Sequence, residues 1–275
     1  MRTALTIAGS DSSGGAGIQA DLKTFAAFGL YGLSAITAIT AQSTNGIEAA
    51  LALPADLVTA QIEAVAGDIT VDATKIGMLA NAAIVEAVRA AIEELELPLV
   101  VVDPVLVSSS GERLLDEDGV RALRELLPHA RVVTPNIPEA EALSGRRIQS
   151  MDDAREAARR IQGMGAAAVI ITGGHAFSNE QGSGLRAEGS DVVDLLFDGG
   201  AFSELRVRRV DSRHTHGTGC TYASAVAAGL ALGLTLPDAA ARAQRYVAGA
   251  ISHAPGIGHG RGPLDHFWQR PDPLY

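Results

Sequence analysis

The stretch Ala4-Leu5-Thr6-Ile7-Ala8-Gly9-Ser10-Asp11-Ser12-Ser13-Gly14-Gly15-Ala16-Gly17-Ile18-Gln19-Ala20-Asp21 decides how the rest of the chain is read. An apolar run, Thr3–Ala8, has the length and composition of a buried strand. A Gly-rich loop, Gly9–Gly17, follows and feeds a helical pattern near Ile18–Phe28. Strand, glycine loop and helix in that order open a βαβ unit. The glycines let a backbone approach a ligand closely, or simply make a turn. No Gly-Lys-Ser/Thr follows at P-loop spacing, so the loop is not a Walker-type phosphate cradle.

Working outward, short apolar runs keep alternating with helical patterns. Strands are expected at Leu33–Ala41, Ala73–Ile76, Leu99–Val102, Arg131–Thr134 and Ala168–Thr172. Helices are expected at Pro54–Ala66, Ala82–Leu95, Asp118–Leu127, Glu139–Leu143, Asp152–Met164, Gly217–Leu232 and Pro237–Ser252. Val192–Phe197 and Phe202–Val207, joined through Asp198-Gly199-Gly200, read as an antiparallel hairpin. Ser178–Ser190 reads as an exposed loop. The alternation predicts an α/β fold with a mainly parallel sheet, and no linker or repeat divides residues 1–275, so one domain is expected.

The 275 residues are 47% hydrophobic but only 4% aromatic, with 30 Gly, which suits a core of small aliphatic side chains packed closely between helix and sheet. A formal net charge of −10 argues against nucleic acid or an anionic membrane as partner. Cys220 is the single cysteine, so no internal disulfide is possible. The apolar run within Met1–Gly9 is too short for a signal peptide or a membrane span, which makes a cytoplasmic enzyme the expectation.

Ligands of open α/β sheets bind beyond the carboxyl ends of the strands, and polar residues gather there. His216-Gly217-Thr218-Gly219-Cys220 opens a helix whose free N–H groups and dipole favour an anion. Cys220 at that place is expected to be a thiolate of lowered pKa, the alternative being a small buried hydrophobe. Asn136 and Glu139, three residues apart just past a strand, suit either Mg²⁺ or ordinary helix capping. Asp103 at the end of Val100–Val102 can hold Mg²⁺ or cap a turn. Gly173-Gly174-His175 closes another strand, and His175 is given no catalytic role.

Taken in order, these segments resemble the hydroxymethylpyrimidine/phosphomethylpyrimidine kinase family of the ribokinase-like superfamily. Ala4–Asp21, Thr40–Thr44, Thr74–Leu79, Val102–Val105, Thr134–Glu139, Gly173–His175 and Thr215–Cys220 carry the likeness over nearly the whole chain. The resemblance implies a three-layer α/β/α fold and two successive phosphorylations of an aminopyrimidine alcohol, with ATP and Mg²⁺ as cofactors and a homodimer by analogy. It implies Asp21 and Gln42 as hydrogen-bond partners of the pyrimidine, with Gly9, Met78 and Val105 lining its pocket. Gly217, Thr218 and Gly219 would form the anion hole, and Cys220 would be the base next to the substrate hydroxyl. Asp103, Asn136 and Glu139 would organise Mg²⁺, while Asp103, Asn136, Thr172, Gly217 and Gly219 would meet the nucleotide.

Two departures stand out: Thr172 and Ser109 occupy places where the family commonly carries lysines near phosphate. Their loss shifts the burden to the anion hole, to Mg²⁺ and to Lys75 or an arginine that the sequence does not place, and bears on the second phosphorylation more than on the fold. Two rival readings share these motifs, a pyridoxal-type kinase and a non-catalytic binding protein. Gln42 favours the aminopyrimidine because an amide both donates and accepts along one edge.

Overall fold

The computed structural model describes residues 1–108, 111–173 and 191–270. Ser109, Gly174, His175, the Ser178–Ser190 loop and the last five residues of Gly256–Tyr275 lie outside them.

In chain order the elements are β1 (Thr3–Asp11), α1 (Gly17–Ala27), β2 (Tyr31–Ser43), β3 (Gly46–Ala52), α2 (Ala55–Ala66), β4 (Thr74–Ile76), α3 (Ala82–Glu94), β5 (Val100–Val102), α4 (Glu117–Leu126), β6 (Val132–Val133), α5 (Ile137–Ser144), α6 (Met151–Gln162), β7 (Ala168–Ile171), β8 (Asp191–Asp198), β9 (Ala201–Arg208), α7 (Thr218–Ala231) and α8 (Leu236–Ser252). The strands join one sheet in the order β3-β2-β1-β4-β5-β6-β7-β8-β9. The run from β2 to β7 is parallel throughout. Antiparallel partners close it at both sides, β3 on β2 and the β8–β9 hairpin on β7.

Alternation along each central strand feeds two cores, which is what makes the fold three-layered. Val100 and Val102 enter one layer with Ile62, Ile84, Leu126 and Leu143 of the helices α2 to α5. Val101, between them, enters the other with Phe25, Ala223, Ala227 and Ala243 of α1, α7 and α8. That second layer is thin because its helices are Ala-rich. A methyl group on Gly229 of α7 would come within 2.8 Å of the Ala239 Cβ of α8.

Two expectations are corrected. Strand β1 runs to Asp11 instead of ending at Ala8, because a bulge opposite Gly9, where β2 carries one extra residue between Ile36 and Ile39, lets Ser10 and Asp11 pair onward with Ile39 and Thr40. Strand β3 was not expected at all: Gly46-Ile47-Glu48-Ala49-Ala50-Leu51-Ala52 lacks the usual apolar alternation because it forms an edge and is mostly exposed. No helix among the described residues is long and apolar enough to cross a membrane.

Candidate active site

A cavity of about 250 Å³ opens at the carboxyl ends of the parallel strands. Its wall brings together Gly9, Gln42, Met78, Asp103, Val105, Asn136, Glu139, Thr172, Gly217, Thr218, Gly219 and Cys220. Residues more than two hundred positions apart, such as Gly9 and Cys220, meet there because each lies near the end of a strand, just past one, or at the start of the helix packed beneath.

Asp11 builds the first wall. Its Oδ1 accepts from the Ser13 N–H and hydroxyl, both at 2.8 Å. Its Oδ2 accepts from the N–H groups of Gly15 and Ala16 at 3.1 and 2.8 Å, and from His216 Nε2 at 2.8 Å. Burial alone would raise this carboxyl, but the hydrogen bonds from His216 and Ser13 prevail and lower it to about 2. The Gly-rich loop is thus wound around a carboxylate, and three of its N–H groups point at Asp11 rather than at a ligand. Sequence reasoning passed over Asp11 and His216, although both lie inside the segments it singled out.

Helix α7 builds the second wall. Its N-cap, Gly217, has φ +83°, and a Cβ there would fall 1.8 Å from the Gly15 carbonyl oxygen, so only glycine fits. No side chain caps the helix, and no acidic residue sits in its first turn. The first intrahelical bond runs from Thr221 N to Gly217 O at 2.9 Å, which leaves the Gly219 and Cys220 N–H groups ahead of it. A Cβ on Gly219 would meet nothing nearer than the Asp103 carboxylate at 3.9 Å, so this end of the helix is open toward Asp103.

The third wall is acidic. Asp103 is buried, and burial pushes it up to about 6, with Lys75 and the Cys220 thiol opposing and Asp21 adding to the rise. Its Oδ2 has no hydrogen-bond partner among the described residues. Glu139 is pushed up to about 8, first by burial and then by the Asp103 charge. Asn136 and Glu139 realise the capping alternative: Asn136 Oδ1 accepts from Glu139 N at 3.0 Å, and Glu139 Oε2 accepts from Asn136 N at 2.9 Å. Asn136 lines the cavity, and its side-chain oxygen, already accepting the cap hydrogen bond, keeps one further lone pair. Thr172 is held by Pro135, whose carbonyl accepts from Thr172 N at 2.9 Å, and its side chain reaches the same wall.

A divalent cation fits this wall. An orphaned carboxylate oxygen beside a second buried carboxylate, each raised by burial, is the donor set that a hard cation would satisfy. Among the described residues no group of three His, Cys, Asp or Glu forms a complete cage, so the cation would complete its shell with phosphate and water.

Two further expectations are corrected. Asp21 does not line the cavity: it is fully buried, its Oδ2 accepting from Thr6 Oγ1 at 2.6 Å and Lys75 Nζ at 2.9 Å, its Oδ1 from Ser224 Oγ at 2.6 Å. The Cys220 thiol is not lowered. The residue is half-buried by surface area and opens on the cavity, but its sulfur sits deep enough that burial pushes it up to about 12. Lys75 and the Gly17 N–H oppose the rise, while Asp103 and Asp21 add to it. Lys75 is itself a wall residue; burial works against its charge, but Asp21, Cys220 and Asp103 hold it above the ordinary lysine range.

An open helix N-terminus facing buried carboxylates, at the carboxyl edge of a parallel sheet within three layers, defines a kinase of ribokinase-like fold. The chain belongs to the phosphomethylpyrimidine kinase family, whose model matches residues 11–265. It is 46% identical over 265 residues to the hydroxymethylpyrimidine/phosphomethylpyrimidine kinase of Bacillus subtilis, covering 96% of this chain and 94% of that one. It is 47% identical over 264 residues to the thiamine biosynthesis bifunctional protein of Geobacter sulfurreducens, and there 96% of the chain spans about half, 52%, of the relative's length. An ADP complex of Bacillus subtilis pyridoxal kinase superposes with a TM-score of 0.85 at 39% identity, covering 97% of each chain.

Proposed function

We propose that the chain moves the terminal phosphoryl group of ATP first to the hydroxyl of 4-amino-5-hydroxymethyl-2-methylpyrimidine and then to the resulting monophosphate. The observation that carries this reading is one cavity lined by two chemically different sets of groups. Gln42, Met78 and Val105 offer an amide and apolar surface to a flat heterocycle, while Gly217–Cys220 and Asp103 offer N–H groups and a carboxylate to phosphate and metal. Phosphoryl transfer asks the protein mainly for alignment and charge stabilisation, which an open helix end supplies.

Each residue then has a defined task. Gln42 orients the ring, and Gly9 gives Met78 room to cover it: a Cβ on Gly9 would lie 2.8 Å from Met78 Cε. The N–H groups of Gly219 and Cys220 meet the charge that develops on the transferred group. Mg²⁺, when bound, neutralises the charge of the polyphosphate; Asp103 and Glu139 would hold it or its waters, with Asn136 fixing Glu139. Lys75 supplies positive charge beneath the helix start, while Thr172 and Ser109 are uncharged side chains. Cys220 is protonated at rest, so its sulfur can accept the substrate's hydroxyl proton only after its own proton has left to solvent, a loss that a cation bound at Asp103 would favour.

The chain is read as one domain, which the single continuous sheet supports. It is also read as pairing with a second copy of itself. Ile39 and Leu51, opposite each other on β2 and β3, are 48% and 66% exposed and give such a pairing an apolar edge.

ATP consumption coupled to a reporter enzyme, run in parallel with the aminopyrimidine alcohol and with pyridoxal, tests the reading. The kinship to a pyridoxal kinase makes the second substrate the necessary control. Turnover with the pyrimidine at the higher kcat/KM is expected. Preference for pyridoxal would move the assignment to the vitamin B6 side, and turnover of neither would leave a binding protein.

A further inference from the structure

Gln42 stands in the cavity wall between two groups that together dictate how its amide is turned. Thr40 Oγ1 lies 3.0 Å from the Ser10 carbonyl oxygen and 3.0 Å from Gln42 Oε1. A hydroxyl has one proton and two lone pairs. The Ser10 carbonyl can only accept, so the Thr40 proton goes there and Oγ1 offers Gln42 a lone pair. At the other end, His216 Nε2 lies 2.8 Å from Asp11 Oδ2 and 3.4 Å from Gln42 Nε2. A carboxylate also can only accept, and Asp11 stays charged because its carboxyl is lowered to about 2. His216 Nε2 therefore carries a proton and has no lone pair for an amide N–H.

Both neighbours demand the same arrangement: the Gln42 nitrogen toward Thr40 and its oxygen toward His216. This is the half-turned form of the amide, whose two ends are nearly equal in size and are told apart by their hydrogen bonds. In that form the hydrogen bonds run in one direction. Asp11 Oδ2 and Gln42 Oε1 share the proton of His216 Nε2, Gln42 donates to Thr40, and Thr40 donates to Ser10. Thr40, His216 and Asp11 are each buried, so water does not compete for these bonds.

We propose that His216 and Thr40 are positioning residues that lock the Gln42 amide, leaving one N–H and one carbonyl lone pair for the ligand. The pair would recognise a heteroaromatic edge on which a ring nitrogen accepts and an adjacent amino group donates. A pyridine carrying a phenol and an aldehyde has no such amino group. The ligand part of the proposal rests on the aminopyrimidine reading above; the network itself does not.

The first test needs no substrate. In ligand-free protein labelled with ¹⁵N at histidine and glutamine, His216 Nε2 is expected to be protonated, and the Gln42 side-chain signals to shift in both Thr40→Val and His216→Met. An unprotonated Nε2, or Gln42 signals that move in neither variant, overturns the network. The second test separates KM from kcat. Misaligning the amide should raise KM for the aminopyrimidine alcohol about tenfold in Thr40→Val and His216→Met, the size of one imperfect buried hydrogen bond. The loss in kcat and the change in KM for ATP should both be smaller. His216→Gln, which keeps an N–H donor at similar reach, should recover most of the loss. A fall in kcat alone, or a Gln variant no better than Met, overturns the positioning role. Wild-type protein that ignores the aminopyrimidine would instead overturn the substrate reading, and the nitrogen signals would still decide the network.

Discussion

The Lys75 ammonium and the Asp21 carboxylate form an ion pair at 2.9 Å with neither side chain exposed. Thr6 and Ser224 complete the carboxylate's hydrogen bonds, so β1, α1, β4 and α7 are tied together at one point directly beneath the anion hole. Removing one partner of such a pair leaves an uncompensated buried charge, which costs about 3–5 kcal/mol, whereas removing both can be nearly neutral. Asp21→Asn is therefore expected to lower unfolding free energy by that order, and Asp21→Asn with Lys75→Met to recover part of it. Chemical denaturation of the three proteins checks this. A single variant as stable as wild type would show that Lys75 does not depend on Asp21 for its charge.

The same pair shows where sequence reasoning stopped. The strands and helices were legible because alternation and 3.6-residue periodicity are local, and the cavity wall was legible because polar residues follow strand ends. Asp21 was assigned to the ligand because nothing local reveals that its partners lie 54 and 203 residues away, at Lys75 and Ser224. Cys220 failed for a related reason. A helix start argues for a thiolate, but burial and the charges of Asp103 and Asp21, brought in by other strands and helices, outweigh it. Edge strand β3 was invisible because exposure removes the alternation by which strands are recognised.

Glu139→Gln separates capping from metal binding. Gln at the third helical position can still accept from the Asn136 N–H, so the capping box survives while the charge is lost. Activity titrated with Mg²⁺ is expected to shift to higher concentration by roughly tenfold or more, the scale of one lost charged ligand contact. Calorimetric binding of the pyrimidine without metal should be unchanged. Superimposable Mg²⁺ titrations would reassign Glu139 to capping alone.

Stability should fall as pH rises in the metal-free protein. Asp103 and Glu139 are raised in the folded state, to about 6 and about 8, from ordinary values of 3.8 and 4.5. Between those limits the native state holds more protons than the unfolded chain, so unfolding free energy declines with increasing pH up to about 8, and the Cys220 thiol, raised from 9.0 to about 12, extends the decline beyond that. Asp194, raised to about 6 by burial, contributes in the same direction over the lower part of the window. Two groups act oppositely: Asp11, its stabilisation being lost as pH falls from 3.8 toward 2, and His266, which burial lowers from 6.5 to about 4 and which makes the decline shallower below about 6.5. Thermal melts from pH 5 to 9 should show the decline, Glu139→Gln should flatten its upper part, and Mg²⁺ should reduce it. A melting temperature that rises across this window would contradict the burial of these carboxylates.

Cys220 gives the sharpest test of how the proton leaves the substrate. A thiol pushed up to about 12 is protonated at neutral pH, so the resting enzyme holds no thiolate. Two of the causes of that rise are carboxylates, Asp103 and Asp21, and a cation bound at Asp103 cancels one of them. Iodoacetamide is therefore expected to label the metal-free enzyme slowly at pH 8, more slowly than a free cysteine of ordinary pKa near 8.5. Adding Mg²⁺ with ADP should speed the labelling, and adding the pyrimidine should block it. If the sulfur, having first lost its own proton to solvent, then takes the hydroxyl proton as the phosphoryl group transfers, Cys220→Ser should lower kcat by roughly 10²–10⁴-fold, the range of general-base catalysis, with little change in pyrimidine affinity. Rapid labelling of the metal-free enzyme would show that burial does not control the sulfur. A Ser variant with near-normal kcat would assign the chemistry to the N–H groups of α7 and leave Cys220 as a packing residue.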